Sequence, residues 1–455
     1  MIRICMGQVI EHIGFLLLLI LSVLFNEERL LADSGYYLIQ VINSKWFWIE
    51  HNRLILILPE IAPVLAVWLN LSLKWTVVFY SVGHIAFFYL VYWASKRFGN
   101  PLAGAQILLL QVLGISSGFF VPMFELYYAA GLLILFDSIG AGKVNGWQRI
   151  LLQAVLVLFI ASAHFFAIAL LIFILAYRLL ESRAWNIQQL ILFASIVAGT
   201  MIYKKHNISE YEQGKIDAFI SGLESYSPTW DYLQNLSRFM ATTYPELLVL
   251  SLIGMALFAY NRRWTILLLY MSSMVILTVM ITVTYVGFEP SRYQEQVYFP
   301  LSFVVVYVFC SSVLLVNSNK LRSAFIALGI LVLASRTVGI VQAGEWFTDR
   351  QQEMKRFIAR AQDLPGTKFA VHEGLLTHDA NWSYPIESLL ISAADENLKT
   401  VSICTDMDLE YNNNGENLKQ DEFVFRRYEI FQLSHLNHRY FKLDTTNYQW
   451  LTELP

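Results

Sequence analysis

Apolar residues in this chain gather in long blocks instead of alternating with polar ones. Ile13–Phe25, Trp75–Trp93, Leu102–Phe120, Leu247–Ala259, Trp264–Tyr285, Phe299–Val316 and Ala324–Leu333 carry no Asp, Glu, Lys or Arg. A helix that crosses a hydrocarbon core about 30 Å thick needs roughly 20 apolar residues. The pattern therefore predicts a polytopic, all-α membrane protein. Two further segments do not read as single crossings. Leu54–Leu71 holds Pro59, Glu60 and Pro63, and proline interrupts a helix while a carboxylate is costly in lipid. It is expected to lie along the outer interface. Ile150–Tyr177 is expected to cross twice, with a tight outer turn at Ser162-Ala163-His164.

Basic residues set the threading, because Lys and Arg favour the cytoplasmic side. Lys96-Arg97, Lys143 with Arg149, Arg178 with Arg183, Arg262-Arg263 and Lys320 with Arg322 recur between apolar blocks. Keeping all of them inside yields eleven crossings, with the N-terminus cytoplasmic and the C-terminus outside. A rival threading makes both unusual segments single crossings and strands Lys96, Arg97, Lys143 and Arg149 outside, so the first is preferred. The span following Met1-Ile2-Arg3 lacks a small-residue cleavage site and reads as a retained anchor. Residues 1–340 form the membrane domain in this reading, and 341–455 an external α/β domain. In that second part, Glu345–Gln362 has helical periodicity, Lys368–His372 and Thr400–Cys404 read as strands, and Pro385–Ala394 reads as a helix.

Composition agrees. Of 455 residues 56% are hydrophobic and only 15% charged, against about 25% charged in soluble domains. The net charge of -3 says little about nucleic acid, and with no basic patch of interleaved aromatics in the chain no nucleic-acid partner is expected. Cys5, Cys310 and Cys404 are too far apart to suggest a metal site.

The polar residues that interrupt this apolar chain are the candidates for chemistry. Asp33, in Ala32-Asp33-Ser34-Gly35 after the first span, suits a general base or a cation ligand. The same residue types also make good helix caps, so capping of a helix starting near Tyr36 stays open beside catalysis. His51 and Arg53 at headgroup depth suit a phosphate, since Arg forks onto its oxygens; interfacial anchoring beside Trp46, Phe47 and Trp48 is the alternative. Glu60, Glu125 and His164 fall on the same outer face, with Glu60 expected to point into a wet cleft. Arg292, just before the tenth crossing, suits a lipid-linked phosphate or a salt bridge to Glu289 or Glu295.

Asp33 in the first external loop, the interfacial Leu54–Leu71, the short paired helices around His164 and the Arg292-Tyr293 loop together resemble polytopic glycosyltransferases of the GT-C superfamily. The chain also resembles bacterial multi-pass membrane proteins with a Trp-x-x-Pro-x-Glu-Ser stretch, here Trp382–Ser388. The resemblance implies a bacterial inner-membrane enzyme that moves a sugar from a polyprenyl-phosphate carrier to an acceptor on the outer face. It makes Asp33 the base or metal-holding carboxylate and Arg292 the phosphate ligand; His51, Arg53, Glu60, Glu125 and His164, taken from their own positions, are the further candidates for substrate binding. Membrane lipid and the lipid-linked sugar are the partners it implies. A divalent metal ion is the one cofactor it raises, although a lone Asp is a poor site for a cation that wants several oxygens. Two other function classes stand beside this one. A transporter or flippase is disfavoured by the absence of a repeat and of mid-membrane charges, and a scaffold with a partner-binding external domain fits if Asp33 has no chemical role.

Overall fold

The computed structural model describes residues 2–142, 146–182, 187–224, 230–284, 291–412 and 418–451. Helix α1 (Ile2–Leu24) leads through a short 3-10 turn at Glu28–Leu30 into α2 (Asp33–Ser44), which ends where Lys45 adopts a left-handed conformation. A second pair of 3-10 turns brings the chain to α3 (Ile57–Trp68), and then to α4 (Leu73–Arg97). Lys96 and Arg97 sit in the last turn of α4, where cations complement the helix dipole. There follow α5 (Ala103–Leu110), α6 (Glu125–Ala141), α7 (Gly146–Ala163), α8 (Phe165–Ser182) and α9 (Ile187–His206). Helices α10 (Glu210–Glu224) and α11 (Trp230–Arg238) precede α12 (Pro245–Tyr260), α13 (Trp264–Thr284) and α14 (Ser291–Val313). Helix α15 (Asn319–Gln362) is 44 residues long, starts on a Ser318 cap and runs unbroken from an apolar half into a charged half. The boundary expected at residue 341 lies inside it.

Among the described residues six helices are long and apolar enough to cross a membrane, namely α4, α7, α9, α13, α14 and the first part of α15. A seventh span arises if Leu233–Thr243 and α12, bent by 93° at Tyr244, count as one. The chain is a multi-pass helical membrane protein. His164 interrupts the helix between α7 and α8, at the expected turn.

The block Leu102–Phe120 departs from expectation. It is helical only through α5, and the rest is turns and a short 3-10 helix at Ser117–Phe120. Gly114 takes a positive φ of 74°, a conformation that costs glycine little and ends the helix. The freed amides of Ser116, Ser117 and Gly118 then donate to the buried Glu295 carboxylate of α14 at 2.9, 3.1 and 2.6 Å. Irregular backbone is tolerated at this depth because protein groups satisfy it.

The C-terminal part is a small α/β unit. Strands β1 (Lys368–Val371) and β2 (Ser402–Thr405) are joined by α16 (Tyr384–Ala394), and β5 (Gln449–Leu451) pairs on the far side of β1. All three are parallel, with Phe369 opposite Ile403 and Ala370 opposite Trp450. Helix α17 (Asp406–Tyr411) starts on a capping box between Thr405 and Asp408, and β3 (Glu422–Arg426) and β4 (Glu429–Gln432) form an antiparallel hairpin. β1, α16 and β2 occupy the stretches where the pattern predicted strand, helix and strand.

This unit is not a free module. Leu30, Tyr36, Ile39 and Ile42 from the first loop share one hydrophobic core with Phe357, Ile386, Leu390 and Phe425. Gly35 lets α2 approach α16 closely: a Cβ there would lie 2.5 Å from the Leu30 carbonyl and 3.2 Å from the Ile386 side chain. The C-terminal unit thus fixes the first loop, and with it Asp33.

Candidate functional site

Asp33 is the first residue of α2, not its cap. The cap position is Ala32, and no side chain bonds to the first turn, so the capping reading is overturned. Ala32 has φ 56° and ψ -125°, a conformation rare for residues with a Cβ and costing about 1–3 kcal/mol. Such strain persists only where the surroundings dictate it, and here they do. The buried Glu387 carboxylate accepts from the Ala32 N–H at 3.4 Å and from Ser383 Oγ at 2.5 Å, and forms a two-pronged pair with Arg350. Arg350 in turn donates to the Asp379 and Ala380 carbonyls. Glu387 belongs to the Trp382–Ser388 stretch, so that stretch serves to hold the backbone just before Asp33.

The Asp33 side chain is exposed, whereas Ala32 and Ser34 on either side are buried. It opens to water within a recess walled by protein. Glu125, Glu50, Arg426 and Lys215 are its charged surroundings, and burial of the recess together with the two glutamates pushes its carboxyl up to about 6. A carboxylic acid with that affinity for protons is ionised at neutral pH yet basic enough to take a proton from a hydroxyl in a transition state.

The other walls are built by strapping distant segments together. Tyr36 donates its hydroxyl to Glu50 at 3.1 Å. The Arg426 guanidinium lies 4.2 Å over the Tyr36 ring and bonds Glu429 at 2.6 Å. Arg53 bridges Glu125 of α6 and Glu212 of α10, the latter at 3.2 Å. Asn52 donates to the Asn207 carbonyl at 2.8 Å, and His51 Nδ1 meets Ser209 Oγ at 2.8 Å. His51 and Asn52 both have positive φ, a tight reversal that aims Arg53 inward. His164, in the break between α7 and α8, lies within electrostatic reach of Arg53, Glu125, Lys204 and Lys215; burial pushes its imidazole down to about 3. It is a neutral imidazole at physiological pH.

Of the candidates named from sequence, Asp33, His51, Arg53, Glu125 and His164 come together at one end of the bundle. The phosphate role expected for Arg53 meets an arginine already engaged by two carboxylates. Glu60 is not in a wet cleft. It is 0% exposed, accepts the Trp48 N–H at 2.7 Å, and burial pushes its carboxyl up to about 8, so it stays protonated at neutral pH. The side chain of Arg292 lies outside the described residues. Glu295, its expected salt-bridge partner, accepts from Tyr244 as well as from the three amides. Sequence reasoning missed Glu50, Glu212, Lys215 and Arg426 as members of the cluster. Glu50 adjoins His51 and was within reach of a closer reading; Arg426 is delivered by the β3–β4 hairpin from almost 400 residues away, with no local signal. Among the described residues no three His, Cys, Asp or Glu side chains converge as a metal site requires.

No family model, curated protein or solved structure matches this chain.

Proposed function

We propose that this protein is a membrane glycosyltransferase that moves a sugar from a polyprenyl-phosphate carrier to an acceptor hydroxyl on the outer face of a bacterial cytoplasmic membrane. The observation that carries this reading is the water-exposed Asp33 carboxylate, held at an uncapped helix start inside a charged recess and roofed by the C-terminal unit. Asp33 takes the acceptor proton as the acceptor oxygen bonds to the anomeric carbon. The bond from that carbon to the carrier phosphate breaks, and the lipid phosphate leaves with the electron pair. Lys215 and Arg426, the cations that act on Asp33, are the groups on hand to stabilise that departing charge. Glu125 and Glu50 keep Asp33 basic, and Arg53 holds Glu125 in place.

Eleven crossings fit this reading: α1, α4, residues 103–120, α6, α7, α8, α9, α12, α13, α14 and the first part of α15. Lys96, Arg97, Arg178, Arg262, Arg263, Lys320 and Arg322 then face the cytoplasm, as the distribution of basic residues favours. The recess and the α/β unit face outward.

Membranes carrying the wild type or Asp33→Asn, given a labelled polyprenyl-phosphate sugar, test the chemistry. Transfer by the wild type alone supports the reading, and equal transfer by both removes Asp33 as base. Topology needs an introduced thiol, because Cys404 is buried in β2. Tyr428 is 63% exposed at the hairpin turn. A Tyr428→Cys variant is expected to react with an impermeant maleimide on intact cells, and reaction only after permeabilisation would reverse the orientation.

A further inference from the structure

Beneath Asp33 lies a buried cation among polar side chains, with no carboxylate beside it among the described residues. Arg29, in the 3-10 turn before α2, is 2% exposed, yet its Nε and Nη1 have no hydrogen-bond partner. Ser34 Oγ and Tyr80 Oη, buried beside it, have only each other, and the buried His84 Nε2 has no partner. These groups belong to one neighbourhood. Arg29 acts electrostatically on Tyr80, Tyr128 and His84, the Tyr80 and His84 rings are 4.6 Å apart, and Ser34 reaches toward Tyr80. His84 Nδ1 is bonded to the Tyr128 hydroxyl. When Tyr128 is the donor, the imidazole proton resides on Nε2 and supplies one more donor.

The charge balance is what needs explaining. Removing one guanidinium from water costs several kcal/mol even after relaxation, and buried arginines ordinarily meet a carboxylate. Among the described residues no carboxylate acts on Arg29; its electrostatic neighbours are the two tyrosines, and burial pulls it down to about 10. The Phe119 face lies 4.2 Å from the guanidinium carbon, but a desolvated cation–π contact returns only about 2 kcal/mol. Two guanidinium N–H positions, two hydroxyls and an imidazole nitrogen buried around one positive charge, with no carboxylate among the described residues to balance it, are chemically complementary to an anion.

We propose that Arg29, Ser34, Tyr80 and His84 bind a small monovalent anion of the halide class, with chloride the physiological form. A single negative charge neutralises the single guanidinium, whereas a divalent anion would leave a net buried charge. The burial excludes a lipid phosphate or a sugar carboxylate. Ser34 is 0% exposed and Tyr80 and His84 are 1% exposed, so no headgroup reaches them from the recess. The site is separate from the transfer chemistry and does not depend on it.

The full-length protein, purified in detergent and exchanged into sodium gluconate, is titrated with sodium chloride or bromide at constant ionic strength. The expected result is a saturable rise of a few degrees in Tm with either halide, lost in Arg29→Gln and weakened in Tyr80→Phe. Crystals or frozen grids need no variant: in bromide-exchanged crystals an anomalous peak is expected within hydrogen-bonding distance of Arg29. No halide-specific rise in the wild type, an equal rise in both variants, or ordered water alone beside Arg29 would each overturn the proposal.

Discussion

The two ends of the helical bundle treat charge differently. At the end that carries Lys96 and Arg178, the acids pair off. Asp137, 2% exposed, takes a two-pronged bond from Arg178 at 2.5 and 2.6 Å, and Arg178 also reaches Glu181 at 2.7 Å. Glu11 meets Lys96 at 3.1 Å and accepts from Tyr92 at 3.1 Å. At the opposite end Arg53 is shared by two glutamates, Glu50 has a tyrosine, and Asp33 has no ion pair among the described residues. Paired charges are what a fold needs to place ionisable groups at its edges. An acid set in a recess, moved from its usual proton affinity by burial and by two other acids, stabilises nothing, and such perturbed groups concentrate where chemistry is done.

The sharpest way to break this comparison is to neutralise one acid at each end. Asp33→Asn is expected to lower sugar transfer by roughly 10²–10⁴-fold, the range that general-base catalysis supplies, while Tm holds or rises. The sign follows from linkage: the Asp33 carboxyl is pushed up to about 6 in the folded protein, above its unfolded value, so the charged form weakens folding once pH exceeds that range. A drop in Tm for Asp33→Asn would class Asp33 with the structural acids. Asp137→Asn should do the reverse, since it deprives the partly buried Arg178 guanidinium of the charge on its two-pronged acceptor. A loss of about 3 kcal/mol is expected, read as a lower Tm in detergent, with the transfer rate of the surviving protein little changed.

A pH profile sharpens the Asp33 half of the comparison without a mutation. Only ionised Asp33 can take a proton, so kcat/KM for transfer is expected to be flat above pH 7. Below about 6 it should fall tenfold per pH unit. His164, pushed down to about 3, does not titrate in this window and contributes no limb. A flat profile from pH 5 to 8 would remove Asp33 as the proton acceptor.

How far the chain announced this arrangement depends on whether its cause is local. The long apolar helices α4, α13 and α14, the interruption at His164 and the β1-α16-β2 segment follow from periodicity within ten to twenty residues, and they stand where the pattern put them. Leu102–Phe120 read as a helix because its residues are apolar; what breaks it is Gly114 and the acceptor Glu295, almost 180 residues on. Asp33 looked like a cap because Asp and Ser favour that role. It is not one, because Glu387 and Arg350 hold Ala32 in a strained conformation that starts the helix one residue early. Glu60 was expected in water because a carboxylate in lipid is costly; the backbone amide of Trp48 and a retained proton make its burial tolerable. In each case the missing information was a partner far away in sequence.

The smallest effect belongs to the pair that looks most like a conventional salt bridge. Glu11 and Lys96 are 14% and 22% exposed, and Lys96 also donates to the Pro101 carbonyl at 3.0 Å. Replacing Glu11 by Gln keeps an oxygen that accepts from Tyr92 and Lys96 and removes only the charge. Exposed ion pairs are worth about 0.2–1 kcal/mol, and the remaining Lys96 charge keeps its carbonyl partner, so Glu11→Gln is expected to shift stability by about 1 kcal/mol or less. A shift above about 2 kcal/mol would mean that the fold depends on the Glu11 charge nearly as much as on that of Asp137. Charge pairing at that end would then be uniformly strong, and the lone acid at the other end would stand out further.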